Sequence, residues 1–189
     1  MRIDRLRKNY RIEIRWTAFP LHPETPEQGQ TLEELFAGRS FDVKAAMLRI
    51  KQVADQVGLP MAERTKTYNS RLAQELAKWA ESRGKGDLYH QAVFQAYYVS
   101  GSNIGKVDVL ASIAESVGLS GKEARSVLEE RMYRGSVDAD WIRSRELGIT
   151  AVPTFVMNRQ SNVGAQPYEI LEDFIKSGGA EQRNTEDGT

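Results

Sequence analysis

The chain has 189 residues, with 26 lysines and arginines balanced by 26 aspartates and glutamates, and no cysteine. The balanced charge leaves no basic excess to draw nucleic acid or an anionic membrane. A chain without cysteine can form neither disulfide staples nor thiolate zinc sites, and cannot itself carry out thiol–disulfide exchange.

This length suits one domain with room for an inserted subdomain, and it buries a core without metals. No apolar run approaches the roughly 18 residues of a membrane span. The basic start, Met1–Lys8, lacks the apolar stretch of a signal peptide, so the cytoplasm is the expected location.

Ile12, Ile14 and Trp16 alternate with Arg11, Glu13 and Arg15, a period of two that predicts a strand with one buried face. Pro20, Pro23 and Pro26 then force an extended loop. Thr31-Leu32-Glu33-Glu34 is a capping-box pattern opening a short helical turn.

Helices dominate from there. Val43, Met47, Ile50, Ala54 and Val57 predict a helix closed by Gly58. Leu72, Leu76, Trp79 and Ala80 predict a second. Tyr89, Val93, Phe94 and Tyr97 predict a third, capped by Asp87. Val107, Leu110, Ala111, Ala114 and Val117 predict a fourth, closed by Gly118. Ser120-Gly121-Lys122-Glu123 is another capping box, followed by the stripe Ala124, Val127 and Leu128. Val137, Trp141 and Ile142 form one more short helix, stopped by Gly148.

The chain returns to strand at Thr154–Met157 and again around Asn162–Gly164. Pro167 suits a first helical position, and Leu171, Phe174 and Ile175 form the inner face of the last helix, ended by Gly178-Gly179. Ala180–Thr189 reads as a frayed tail. Strand, helical block, strand, strand, helix is an α/β order with a helical insertion.

The only histidines, His22 and His90, lack partners at a recognisable spacing, and two cannot make a three-histidine zinc site. No metal is expected. Trp79, Trp141, Tyr97 and Phe174 fall at helical spacing and read as core. Asp138, Asp140 and Glu146, beside Arg143 and Arg145, read as a solvated, locally paired helix face. Gly101–Lys106 has neither the spacing nor the preceding strand of a phosphate loop.

The sharpest motif is Gly148-Ile149-Thr150-Ala151-Val152-Pro153-Thr154-Phe155. Proline cannot donate to a ladder, so Pro153 belongs at a strand entrance. The stretch resembles the cis-proline strand of the DsbA-like thioredoxin family, in its FrnE-type branch near the 2-hydroxychromene-2-carboxylate isomerases and kappa-class glutathione transferases. Ile12–Pro23, Tyr68–Ala73, Ser100–Leu119 and Val163–Pro167 carry the same resemblance, in the family's order.

The resemblance implies a thioredoxin-like α/β fold with a large inserted helical domain. Residues 1–40 and 148–179 would form the thioredoxin-like part, 41–147 the insertion and 180–189 a tail. It also implies that the first strand and the start of the active-site helix, where the family carries Cys-x-x-Cys or a serine, are missing. They would lie before Met1, with Ile3–Tyr10 the end of that helix.

No catalytic residue is expected in this chain. The resemblance assigns substrate binding to Val152, Pro153, Gly164, Ala165, Gln166 and Asn69. On residue type alone, Val152-Pro153 is a strand-edge proline, Gly164–Gln166 a tight turn and Asn69 a cap or turn residue. The partners implied are an extended peptide or a small thiol or disulfide substrate. No cofactor is expected unless the branch is the glutathione-dependent one. Three functions stay open: a thiol–disulfide oxidoreductase scaffold inactive as written, a glutathione-dependent isomerase or transferase, and a non-catalytic peptide-binding module. Oligomeric state is left open.

Overall fold

The structure is a computed structural model, and it describes residues 2–38, 40 and 42–183. Two compact units form. One combines Met1–Leu21 with Asp140–Thr189; the other is His22–Ala139. The sequence reading puts the boundaries at 40/41 and 147/148. Residues 22–35 join the helical unit because they are tied to it. Strand β1 (Gln30–Thr31) pairs antiparallel with β2 (Lys66–Thr67), and Leu32 N–H donates to Thr65 C=O at 2.9 Å.

The helical unit opens with α2 (Leu32–Leu35), where Thr31 and Glu34 make both halves of the expected capping box. Helix α3 (Val43–Gln56) starts on Asp42, whose carboxylate accepts from Ala45 N–H, and Gly58 follows its end at φ 68°. It buries no residue: Leu48, Ile50, Val53 and Val57 are all exposed.

The core lies beyond it, between α4 (Arg71–Ser82), α5 (Gly86–Phe94), α6 (Val107–Ser116) and α7 (Gly121–Glu129). Leu76, Trp79, Tyr89, Leu110, Ala114, Ala124 and Leu128 fill it. Each large apolar side chain there contributes about 1.5–3 kcal/mol by leaving water. Three details differ from the sequence reading. Asp87 sits inside the first turn of α5 and does not cap it. At α7, Ser120 accepts from Glu123 N–H, but the Glu123 carboxylate pairs with Arg83 at 3.1 Å. After Phe94 the helix widens into a π-helical turn, Gln95–Val99, where Ser100 N–H reaches back five residues to Gln95 C=O.

One charge is buried in this unit among the described residues. Glu75 is 1 % exposed and accepts from Arg71 Nε at 2.6 Å and from Arg131 Nε and Nη2 at 2.8 and 2.6 Å. Arg71 also bonds Asp138 at 2.7 Å and the Arg134 carbonyl. Burial pushes the Glu75 carboxyl upward, and the hydrogen bonds from Arg131 and Arg71 outweigh it, leaving the pKa below its ordinary value.

The other unit is built from both ends of the chain. Helix α1 (Arg2–Asn9) and helix α9 (Tyr168–Ser177) pack Leu6, Tyr10, Tyr168, Leu171 and Ile175 together, with Ile12, Phe155 and Met157 against them. Pro167 is the residue before α9 and not its first helical one. Strands β3 (Thr154–Met157) and β4 (Gln160–Val163) form an antiparallel hairpin turned by Asn158 and Arg159, both at positive φ.

The expected strand at Arg11–Trp16 does not form. Its alternation survives as exposure, with Ile12 and Ile14 half-buried between exposed Arg11, Glu13 and Arg15. A strand needs a continuous paired neighbour, and no β-pairing covers residues 11–16 among the described residues. The expected tail is also partly ordered. Arg11 N–H donates to Glu181 C=O, Tyr10 bridges Gln182, and Arg183 N–H donates to Asn9 C=O. Residues 184–189 of that expectation lie outside the described residues.

Helix α8 (Arg134–Glu146) carries the boundary between the units. Asp140 is 2 % exposed, contrary to the expected solvated acidic face. Its carboxylate accepts from Ala18 N–H at 2.9 Å and lies 3.5 Å from Arg15. It therefore pins the 15–18 segment to α8. No helix among the described residues is long and apolar enough to cross a membrane.

Candidate functional site

Five of the six expected site residues come together at one end of the β3–β4 hairpin. Thr154 pairs with Val163, which brings the segments outside the ladder side by side. Gly164 N–H donates to Pro153 C=O at 2.8 Å and extends the pairing by one step. Gly164 sits at φ 95°, a backbone region that disfavours side chains, so the glycine is required by the turn. Gln166 N–H returns to Gly164 C=O, and the Gln166 amide Nε2 donates to Val163 C=O at 2.7 Å. Arg2 donates to the Ala165 carbonyl at 3.2 Å.

The Val152–Pro153 peptide bond is cis. Val152 is 46 % exposed. Among the described residues, its main-chain N–H and C=O have no hydrogen-bond partner, and neither does Ala165 N–H. Two hydroxyls lie close by in sequence, on Thr150 and Thr154, and Thr154 Oγ1 donates to Ala151 C=O at 2.6 Å. The cluster therefore offers main-chain donors and acceptors on a fixed turn, and no nucleophile or proton carrier. Chemically it can align an extended ligand, and it cannot by itself break a bond in one.

Asn69 lies in the other unit. Its Nδ2 donates to Thr25 C=O at 2.7 Å and, more weakly, to Pro23 C=O at 3.4 Å, while Oδ1 accepts from Arg71 N–H at 2.9 Å. The amide closes the turn that leads into α4 and holds the proline-rich loop. His22 lies 3.9 Å from Glu24, and His90 3.4 Å from Glu81. No metal-ligating cluster occurs among the described residues.

Two features went unmarked by the sequence reading. Glu75 had a visible signal, since it stands on the apolar face of α4 between Leu72 and Trp79. The second is Arg64 with Tyr97 and Tyr98, which gave none: their meeting depends on the π-helical turn.

The hairpin with its exposed turn, the flanking helices α1 and α9, and the helical insertion define a thioredoxin-like fold of the DsbA type. The family model described as DSBA-like thioredoxin domain matches residues 1–176. The chain belongs to that family. It is similar to the uncharacterized protein YwbO of Bacillus subtilis, 29 % identical over 168 residues, covering 87 % of this chain and 81 % of that one.

Among solved structures it resembles a probable DsbA oxidoreductase, SCO1869, from Streptomyces coelicolor. That likeness has a TM-score of 0.75 at 24 % identity, over 84 % of this chain and 72 % of that one. It also resembles a 2-hydroxychromene-2-carboxylate isomerase, with a TM-score of 0.69 at 19 % identity over 94 % and 85 % of the two chains.

Proposed function

We propose that this chain is the substrate-aligning scaffold of a FrnE-type thiol–disulfide oxidoreductase. The observation that carries the proposal is Val152, an exposed residue whose main-chain N–H and C=O are unpaired among the described residues, beside Gly164–Gln166. Such an edge takes an extended peptide by strand addition, with main-chain hydrogen bonds supplying affinity. The chain as written holds no thiol, so it aligns a substrate without exchanging disulfides.

In this proposal the dithiol stands on sequence upstream of Met1, with a strand that pairs with the outer edge of β3. That edge is unpaired among the described residues.

The chain is expected to show no insulin-reductase activity, and turnover above a heat-killed control would sink the proposal. It is also expected to bind a reduced, extended peptide, with affinity falling about tenfold or more in Gly164→Val, which disturbs the turn. Unchanged binding in that variant would remove Val152 and Gly164 from the site. The genomic sequence directly upstream of Met1 decides the dithiol: a stop codon with no strand and Cys-x-x-Cys before it rules that part out.

A second reading is a glutathione-dependent isomerase or transferase, favoured by the fold likeness to the isomerase. It requires saturable glutathione binding and an upstream serine in place of the cysteines. If peptide binds, glutathione does not and no upstream nucleophile exists, the protein is a non-catalytic binding module.

A further inference from the structure

The helical unit holds a half-buried arginine, Arg64, with no counter-ion among the described residues. The loop carrying Arg64 is tied to the π-helical turn by Ala62 N–H donating to Tyr98 C=O at 2.9 Å. Arg64 Nη1 donates to the Tyr97 hydroxyl, which also shares a 3.0 Å hydrogen bond with Thr67 Oγ1. The guanidinium carbon lies 4.7 Å from the Tyr97 ring centre and 5.3 Å from that of Tyr98. Tyr98 stacks on Phe94 at 5.8 Å, and Phe94 is 53 % exposed.

A guanidinium has five N–H donors. Among the described residues only Nη1 donates a hydrogen bond. Arg64 Nε is buried with no acceptor, and Nη2 has no hydrogen bond among the described residues. Nε and Nη2 form the edge that grips a carboxylate at two points, as Arg131 does with Glu75 in this same unit. Arg71, also half-buried, has two carboxylates; Arg64 has none among the described residues. A partly desolvated cation without a counter-ion is unfavourable, and a bound anion would relieve it. Tyr98 adds a phenol with no hydrogen-bond partner among the described residues, and burial holds it neutral, hence able to donate.

From this geometry we infer that the Arg64–Tyr97–Tyr98 cluster is a binding site for a small carboxylate ligand with a flat apolar body. The Nε–Nη2 edge takes the carboxylate, and the Phe94–Tyr98 stack takes the body. A monoanion is specified over a dianion because the site has one positive charge, already facing the electron-rich sides of two rings. A π-helical turn at this place fits, since such turns mark functional sites more often than plain helix does. The inference is independent of the hairpin site and of the oxidoreductase proposal.

The test titrates the full chain with benzoate, acetate and inorganic phosphate, following the Arg64 Nε–H and the amides of residues 94–99 by NMR. Benzoate should give saturable shifts there, bind more tightly than acetate, and lose about tenfold or more in affinity in Arg64→Gln. Phe94→Ala changes an exposed side chain and leaves the fold intact, so it provides the second arm, with benzoate weakened roughly two- to fivefold. Arg83→Gln, remote from the cluster, should bind like the parent. Shifts that do not saturate, or that persist unchanged in both Arg64→Gln and Phe94→Ala, overturn the site. Phosphate binding more tightly than benzoate overturns the ligand class.

Discussion

The two units meet the same problem, covering apolar surface, in opposite ways. The helical unit encloses its core between four helices, so Leu76, Ala80, Tyr89 and Leu110 are out of contact with water. The hairpin unit covers only one side of β3. Phe155 and Met157 face α1 and α9, while Val152, Val156 and Val163 stay exposed. Stability should therefore reside in the helical unit and ligand access in the hairpin unit. That division is expected where a site is built from main chain, which must stay unpaired to serve.

The largest test of this contrast is Leu76→Ala. It should cost about 2–5 kcal/mol, because a cavity opens in a core with no free side to collapse from; denaturant unfolding measures it. A loss under 1 kcal/mol would mean the helical core is looser than its burial implies. Native-state hydrogen exchange comes next. Amides of Thr154–Val163 should exchange roughly a hundredfold faster than those of α4 and α6, and equal protection would erase the contrast.

Glu75→Gln should cost about 1–3 kcal/mol, since Arg71 and Arg131 lose charge-assisted partners. The pH dependence follows. The folded pKa of Glu75 is depressed, so its stabilisation is full above the ordinary carboxylate range and is lost as pH falls through the lower folded value. The acid limb of the helical unit should therefore flatten in Glu75→Gln. An unchanged acid limb would assign it to other carboxylates. The smallest effect is Ser120→Ala, about 1 kcal/mol, from the lost cap on α7.

Much of the helical unit could be read directly in the sequence. Stripes such as Leu72, Leu76 and Trp79 and caps such as Thr31 and Ser120 are local signals, and local signals survive folding. The failures are non-local. Ile12–Trp16 has a strand's alternation, but a strand exists only with a neighbour to pair with. Asp140 reads as a solvated charge because nothing near it in sequence announces Ala18 N–H, more than a hundred residues away. Asn69 carries a family resemblance and the chemistry of a cap or turn residue at once, and its contacts are those of a turn residue. Arg64 is invisible because its partner Tyr97 lies 33 residues further along the chain, and nothing local announces their meeting.

The hairpin unit draws on residues before 22 and after 139, with the whole helical unit encoded between them. During synthesis this sets an order of events. Ribosomes add roughly 5–20 residues per second, so Leu6 and Tyr10 must wait several seconds or more for Leu171 and Ile175 to emerge. The helical unit, contiguous in the chain, can finish folding within that interval. The nascent N-terminal segment spends it with apolar side chains uncovered, which makes it the part of this protein most in need of a chaperone.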